Sequence, residues 1–138
     1  MKNIFFTTIL FAIIISCGDD DGSTQDPCAS DLICTEEYRS ILLTLEDSSG
    51  SPVILDAYTV TDEESGTIVD FSTLDFFGEG AYVIAEDSQF ESVDMDGTSF
   101  IFEGFINEES VVTASFLIGH DCCHIVKING PDSLVVDF

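Results

Sequence analysis

The sequence predicts an all-β fold: a two-sheet antiparallel sandwich of about seven strands. Three observations lead there. From Tyr38 onward, short apolar runs alternate with polar residues. Turn-forming clusters interrupt these runs about every ten residues, the rhythm of a sandwich. No amphipathic helical repeat of ten residues or more is present.

The elements follow in order. Tyr38 to Leu45 is the first run, and Glu46-Asp47-Ser48-Ser49-Gly50 turns it. Pro52 to Thr61 is the second, with Val53, Leu55 and Ala57 on one face because strand side chains alternate. Asp62-Glu63-Glu64-Ser65-Gly66 turns again, and Thr67 to Phe71 is the third. Between Ser72 and Gly80, Ser72 is positioned to cap one helical turn, which Gly78 and Gly80 limit. Ala81 to Ala85 and Thr98 to Ile106 are the next strands, with Phe100 and Phe102 alternating in the latter. Val111 to Ile118 is the clearest, with Val112, Ala114, Phe116 and Ile118 facing one way. Cys122 to Ile128, an Asn129-Gly130-Pro131-Asp132 turn and Leu134 to Phe138 complete the chain. Each sheet then has one buried and one wet face.

Ahead of this domain lies a different kind of sequence. Met1-Lys2-Asn3 gives a short positive start, and Ile4 to Ile15 is a nearly unbroken apolar run of twelve residues. A membrane-spanning helix needs about 20. The run is followed by Ile14-Ile15-Ser16-Cys17-Gly18, which resembles a bacterial lipoprotein signal peptide ending in its lipobox. The resemblance implies cleavage before Cys17, acylation of that cysteine and anchoring in a membrane. Gly18-Asp19-Asp20-Asp21 resembles the surface-export signal of lipoproteins of the Bacteroidetes group, which implies display on the outer face of the bacterial outer membrane. The chain thus divides into a signal peptide (1–16), an acidic tether and lead-in (17–37) and a β-sandwich domain (38–138).

Composition narrows the function classes. The chain has 27 acidic residues, three Lys or Arg and a formal charge of −24. Removing Lys2 with residues 1–16 takes it to about −25, and leaves Arg39 and Lys127 as the strong bases. Such a surface repels nucleic acid and anionic head groups. Disorder is the usual fate of highly charged chains, but 45% hydrophobic residues allow a core at this size.

The central segment carries a second resemblance. Ile41-Leu42-Leu43-Thr44-Leu45-Glu46-Asp47, Gly50-Ser51-Pro52-Val53 and Ala57-Tyr58-Thr59-Val60-Thr61-Asp62 look like the opening of carboxypeptidase regulatory-like domains, with Gly80-Ala81-Tyr82-Val83-Ile84 as a later strand. It covers Ile41 to Ile84 and implies a transthyretin-like or Ig-like sandwich rather than an activity. The chain departs from that pattern after Ala85. The Cys122-Cys123-His124 ending is similar to that of surface lipoproteins of the same bacterial group.

Four cysteines remain beside Cys17: Cys28, Cys34, Cys122 and Cys123. An even number in an exported chain favours disulfides, and three connectivities are open. We expect at least one bridge from the Cys28–Cys34 segment to the Cys122–Cys123 pair. The competing reading is a zinc- or copper-type ligand set of His120, Cys122 and His124, on one face if the segment is a strand. Three such residues on a straight strand are spread over about 13 Å, too far for one ion.

Ser92-x-Asp94-x-Asp96-Gly97 followed by Glu103 has the spacing of a calcium loop, so Asp94, Asp96 and Glu103 are candidate weak Ca²⁺ ligands. The flanks alternate like strands, and a turn at Asp96-Gly97 explains them equally well. No Gly-rich phosphate loop is present, and no carboxylate pair stands out as acid and base. The expectation is a lipid-anchored, surface-exposed, non-enzymatic binding or envelope-accessory module without a resident cofactor. Its partners would be the membrane, through the lipid, and an extracellular protein or glycan. A metal- or redox-handling lipoprotein centred on His120, Cys122, Cys123 and His124 is the alternative.

Overall fold

The computed structural model describes Cys28, residues 31–69, Phe71 and residues 77–137. Cys17, Asp19, Asp20, Asp21 and the proposed cap at Ser72 lie outside these residues. The described chain forms a two-sheet β-sandwich. In order come β1 (Ser40–Glu46), β2 (Ala57–Asp62), β3 (Ala81–Glu86), a 3-10 helix (Asp87–Ser92), β4 (Thr98–Ile106), β5 (Glu109–His120), β6 (Ile125–Asn129) and β7 (Ser133–Val135). One sheet has the order β3-β1-β7 and the other β2-β4-β5-β6.

The core follows from alternation on β1, β2, β4 and β5, whereas β3 is buried on both faces from Val83 to Glu86. Val60 on β2, Phe100 and Phe102 on β4, and Ala114, Phe116 and Ile118 on β5 are buried. They meet Leu43 and Leu45 of β1 and Val83, Ile84 and Ala85 of β3 in one cluster. Each large apolar side chain so buried contributes about 1.5–3 kcal/mol. Phe102 is fully buried, and its ring lies 5.5 Å from Tyr58 and 5.9 Å from Tyr82. The two tyrosines meet edge to face at 5.2 Å, which joins the sheets.

The structure departs from the sequence reading in informative places. The run from Pro52 to Thr61 is not one strand. Pro52 bridges Glu46 in the first sheet, whereas Ala57 pairs with Phe105 in the second. Residues 53–56 cross between the sheets: Val53 N–H donates to Leu45 O and Asp56 N–H to Phe105 O, each at 2.9 Å. The crossing resets the alternation, so β2 buries Val60 while Ala57 is exposed. Thr67 to Phe71 shrinks to a bridge between Ile68 and Thr61, because residues 67–69 lean on the edge of β2. The last strand, β7, runs parallel to β1, with Thr44 opposite Ser133. The sandwich is therefore antiparallel except at that pair. The segment 121–124 is a turn, and β6 starts only at Ile125.

Gly80 marks a close approach. Its φ is +75°, and a Cβ there would lie 2.8 Å from Leu45 O. Only glycine fits both demands.

The β4–β5 hairpin turns through Asn107 and Glu108, with φ of 50° and 67°. Two left-handed residues make the turn that matches strand twist. Asn tolerates this conformation, but Glu carries a Cβ penalty of about 1–2 kcal/mol. Replacing Glu108 with Gly is therefore expected to stabilise the domain by up to about 1 kcal/mol, less than the penalty because glycine gains freedom when unfolded. Urea unfolding measures this, and an unchanged or lower midpoint would count against the strain.

Candidate functional site

The chemistry-bearing residues gather at one end of the sandwich. There β1 begins, β3 ends, the 3-10 helix starts and the turn 121–124 joins β5 to β6. The turn is built by Asp121. Its Oδ1 accepts the N–H groups of Cys123 and His124, both at 2.7 Å, and its own N–H donates to His124 O at 2.9 Å. A side chain closing on donors two and three residues ahead is a standard way for aspartate to turn a chain. These two donors, set against a small burial cost and aided by Arg39 and His124, hold the Asp121 carboxyl below the usual range.

The turn presents two adjacent cysteines, and both are bridged. Cys28 bonds to Cys122 and Cys34 to Cys123, each pair with Cα atoms 5.4 Å apart. That distance is ordinary for a disulfide. The lead-in is thus stapled to the β5–β6 turn twice, as expected of at least one bridge.

Beneath the bridges lies a hydrogen-bonded line of three side chains. Asp87 Oδ2 sits 2.8 Å from His124 Nδ1, and His124 Nε2 sits 3.1 Å from Thr35 Oγ1. The His124 side chain is 6% exposed and that of Asp87 12%. A neutral ring with its proton on Nδ1 donates to Asp87 and accepts from the Thr35 hydroxyl. Asp87 is engaged further: Oδ2 accepts Arg39 N–H at 2.8 Å and Oδ1 accepts Ile125 N–H at 2.9 Å. Burial pushes the Asp87 carboxyl up, but the donors from Arg39, Ile125 and His124 together outweigh it, and the net direction is down.

Two neighbours complete the region. Glu86 is fully buried; its carboxylate accepts from Tyr38 Oη at 3.3 Å and from the backbone N–H of Gln89, and Gln89 Oε1 accepts Glu86 N–H at 2.7 Å. His120 ends β5, donates from Nδ1 to Asp121 O at 2.6 Å and packs its ring 4.4 Å from Phe90. Leu32, Ile33, Thr35, Arg39, Asp121 and His124, with Cys34, Cys122 and Cys123, line a shallow cleft of about 470 Å³.

The proposed metal ligands do not form one set. The Cys122 sulfur is bonded to Cys28, so it offers no thiolate, and His124 is occupied on both ring nitrogens. The calcium-type spacing is not gathered either. Asp94 and Asp96 sit in the turn before β4, whereas Glu103 lies within β4 opposite Thr59 and Thr113. Six residues of strand carry it roughly 20 Å away. Asp94 instead shares a shallow pocket with Glu63 and Glu64. Among the described residues, no group of three His, Cys, Asp or Glu side chains is placed to hold a metal ion. No described helix is long and apolar enough to cross a membrane.

Sequence reasoning missed Asp87, Thr35 and Arg39. Asp87 and His124 are 37 positions apart, and Thr35 and His124 are 89 apart. No short-range pattern links them. The only signal was adjacency: Thr35 follows Cys34, and His124 follows Cys123.

In comparisons with known proteins, the chain matches no family model, no curated protein and no solved structure.

Two predictions follow from this end of the molecule. The first bridge to form closes a loop of about 90 residues, which contributes about 4–5 kcal/mol in the chain-entropy model. Once it stands, the second closes only a ring of roughly eight residues, worth about 2–3 kcal/mol. Removing either bridge by paired Cys→Ser changes is thus expected to cost about 2–3 kcal/mol, and removing both about 7. Chemical denaturation of the three variants checks this; equal losses for one and two missing bridges would contradict it.

The other concerns acid. Asp87 and Asp121 have lowered carboxyl pKa values, so their stabilisation is fully present above the ordinary value of 3.8 and is lost as pH falls through the lowered folded values. Asp87→Asn should lower stability at pH 7 by about 1–3 kcal/mol, by disturbing a buried set of hydrogen bonds. It should also flatten the loss of melting temperature below pH 4. An unaltered pH profile would show that the carboxylate contributes little.

Proposed function

We propose that this protein is a lipid-anchored surface lipoprotein whose β-sandwich works as a non-enzymatic binding or envelope-accessory module. The observation that carries the reading is the double covalent staple, which fixes the lead-in at one end of the sandwich. Cys28 stands eleven residues after Cys17, the residue that resembles a lipid-bearing cysteine. A chain tethered at that end would hold the opposite end outward. β5 alone is twelve residues long, so the two ends are about 40 Å apart.

The outward end has the character of a contact surface. Ile54 and Phe77 are exposed there at 57% and 39%. A cleft of about 390 Å³ is lined by Ile54, Leu55, Tyr58, Glu79 and Tyr82, among others. Apolar and aromatic side chains beside a carboxylate suit an extracellular protein or glycan. The acidic surface disfavours nucleic acid. In the described residues both strong bases face carboxylates: Arg39 lies 3.8 Å from Asp121, and Lys127 pairs with Asp132.

The Asp87–His124–Thr35 line has the connectivity of a catalytic relay. We read it as structural. Each of its hydrogen bonds joins a different segment of chain, and the nearby N–H groups of Cys123 and His124 are taken by Asp121 rather than aimed at a reacting oxygen. A metal site built on Cys122 or Cys123 would need a thiolate, and in this structure both sulfurs are held in bridges.

Anchoring and display are tested together in the native cell. Labelled palmitate should enter wild type and not Cys17→Ser. Replacing Asp19, Asp20 and Asp21 with Ala should preserve acylation while reducing removal of the domain by protease added to whole cells. Equal labelling of wild type and Cys17→Ser would overturn the anchor, and equal shaving would reduce the acidic triplet to a tether. Binding by the outward end requires that Ile54→Asp weaken capture of the chain by an outer-face protein or glycan partner. Capture unaffected by that change would move the contact surface elsewhere.

A further inference from the structure

The bridge pattern poses a selection problem. Cys122 and Cys123 are adjacent, so their Cα atoms are about 3.8 Å apart. Cys34 Sγ, bonded to Cys123, lies only 3.6 Å from Cys122 O. The entropy of closing the long loop is nearly the same for 34–122 as for 34–123. Proximity in sequence therefore does not choose between the observed pairing and its swapped form.

We infer that the Thr35–His124 hydrogen bond is the register device that directs Cys34 to Cys123 and leaves Cys122 for Cys28. Thr35 immediately follows Cys34, and His124 immediately follows Cys123. Their side chains meet at 3.1 Å. The two residues next to the bridge are thus aligned in the same order as the bridge itself. A swap to 34–122 would slide the lead-in by one residue against the turn and pull Thr35 Oγ1 away from His124 Nε2.

The device works because both of its halves are held independently of the sulfurs. His124 is fixed from below by Asp87, at 2.8 Å from Nδ1. Its backbone is fixed by Asp121, whose Oδ1 accepts the N–H groups of both Cys123 and His124. The lead-in is fixed downstream, where Arg39 N–H donates to Asp87 Oδ2 and Asp87 N–H donates to Arg39 O at 3.0 Å. Asp87 thus holds His124 directly, and the lead-in at Arg39 four residues after Thr35, through contacts that involve no sulfur. Each bridge forms when two thiols pass two electrons to an external disulfide such as oxidised glutathione, releasing two glutathione thiols. While exchange continues, the more stable pairing accumulates.

The test refolds the reduced full chain, with Cys17→Ser so that four thiols remain, in a glutathione redox buffer at pH 8. After the remaining thiols are blocked in acid, endoproteinase cleavage before Asp31 separates Cys28 from Cys34, and collisional cleavage of the 122–123 amide with both S–S bonds intact then reads the pairing. Wild type should give mostly 28–122 with 34–123. Thr35→Val keeps the branched shape but removes the hydroxyl, and should raise the swapped share relative to the observed one by about three- to tenfold, the equilibrium weight of one hydrogen bond. Thr35→Ser should restore the wild-type ratio. Equal ratios in all three chains would overturn the inference.

Single-bridge chains give a second reading that does not need Thr35→Val to fold fully. With Cys17→Ser in place throughout, Cys28→Ser with Cys122→Ser leaves only 34 and 123, and Cys28→Ser with Cys123→Ser leaves only 34 and 122. The first pair should close more readily against glutathione, and Thr35→Val should shrink that preference by the same factor. A preference indifferent to residue 35 would likewise sink the proposal.

Discussion

The carboxylate of Asp87 is the interaction on which the stapled end depends. It accepts from Arg39 just before β1, from Ile125 at the start of β6 and from His124 in the turn between β5 and β6. β1 belongs to one sheet and β6 to the other. One side chain therefore ties the two layers together where no strand pairing can. A nearly buried charge is costly unless its oxygens are satisfied, and three donors meet that demand here. Loss of any one leaves the remaining geometry under-held, because a partly satisfied buried network is worse than none.

The disulfides and the hydrogen bonds act on different states. The bridges restrict the unfolded chain, and the long loop contributes most of that effect. The Asp87–His124–Thr35 line acts in the folded state, where it fixes direction and register. The Arg39–Asp121 pair, 3.8 Å apart with both side chains about half exposed, adds little, as exposed ion pairs do. In a chain with 27 acidic residues and few bases, the domain stays compact against its own repulsion through apolar burial and these specific ties, not through surface charge pairing.

Edge management is visible in the same terms. β2 is an edge strand, but residues 67–69 cover part of it through Val69 N–H to Val60 O and Asp62 N–H to Thr67 O. β7 is an edge of only three residues. Short or covered edges discourage pairing with other chains. Exposed large apolar side chains lie in loops, as with Ile33 beside the staple and Ile54 and Phe77 at the far end, and also on the edge strands, as with Ile128 on β6 and Val135 on β7.

Local pattern determined much of the domain. Alternation marked Thr98–Ile106 to the residue and placed Val112, Ala114, Phe116 and Ile118 on one face, because strand periodicity is a property of neighbours in the chain. The even cysteine count and its clustering indicated a staple between the lead-in and the 122–123 pair. What the sequence did not reveal required contacts between distant positions. The run from Pro52 to Thr61 looked continuous, yet its halves serve different sheets, since strand propensity does not encode which sheet a residue joins. The parallel pairing of β7 with β1 likewise depends on where the chain returns after β6. The Asp87–His124–Thr35 line spans 89 residues, and the choice between Cys122 and Cys123 turns on side-chain positions a few ångströms apart. Only the packed tertiary structure sets distances of that kind, because hydrogen bonds and disulfides are short-ranged in space and indifferent to separation along the chain.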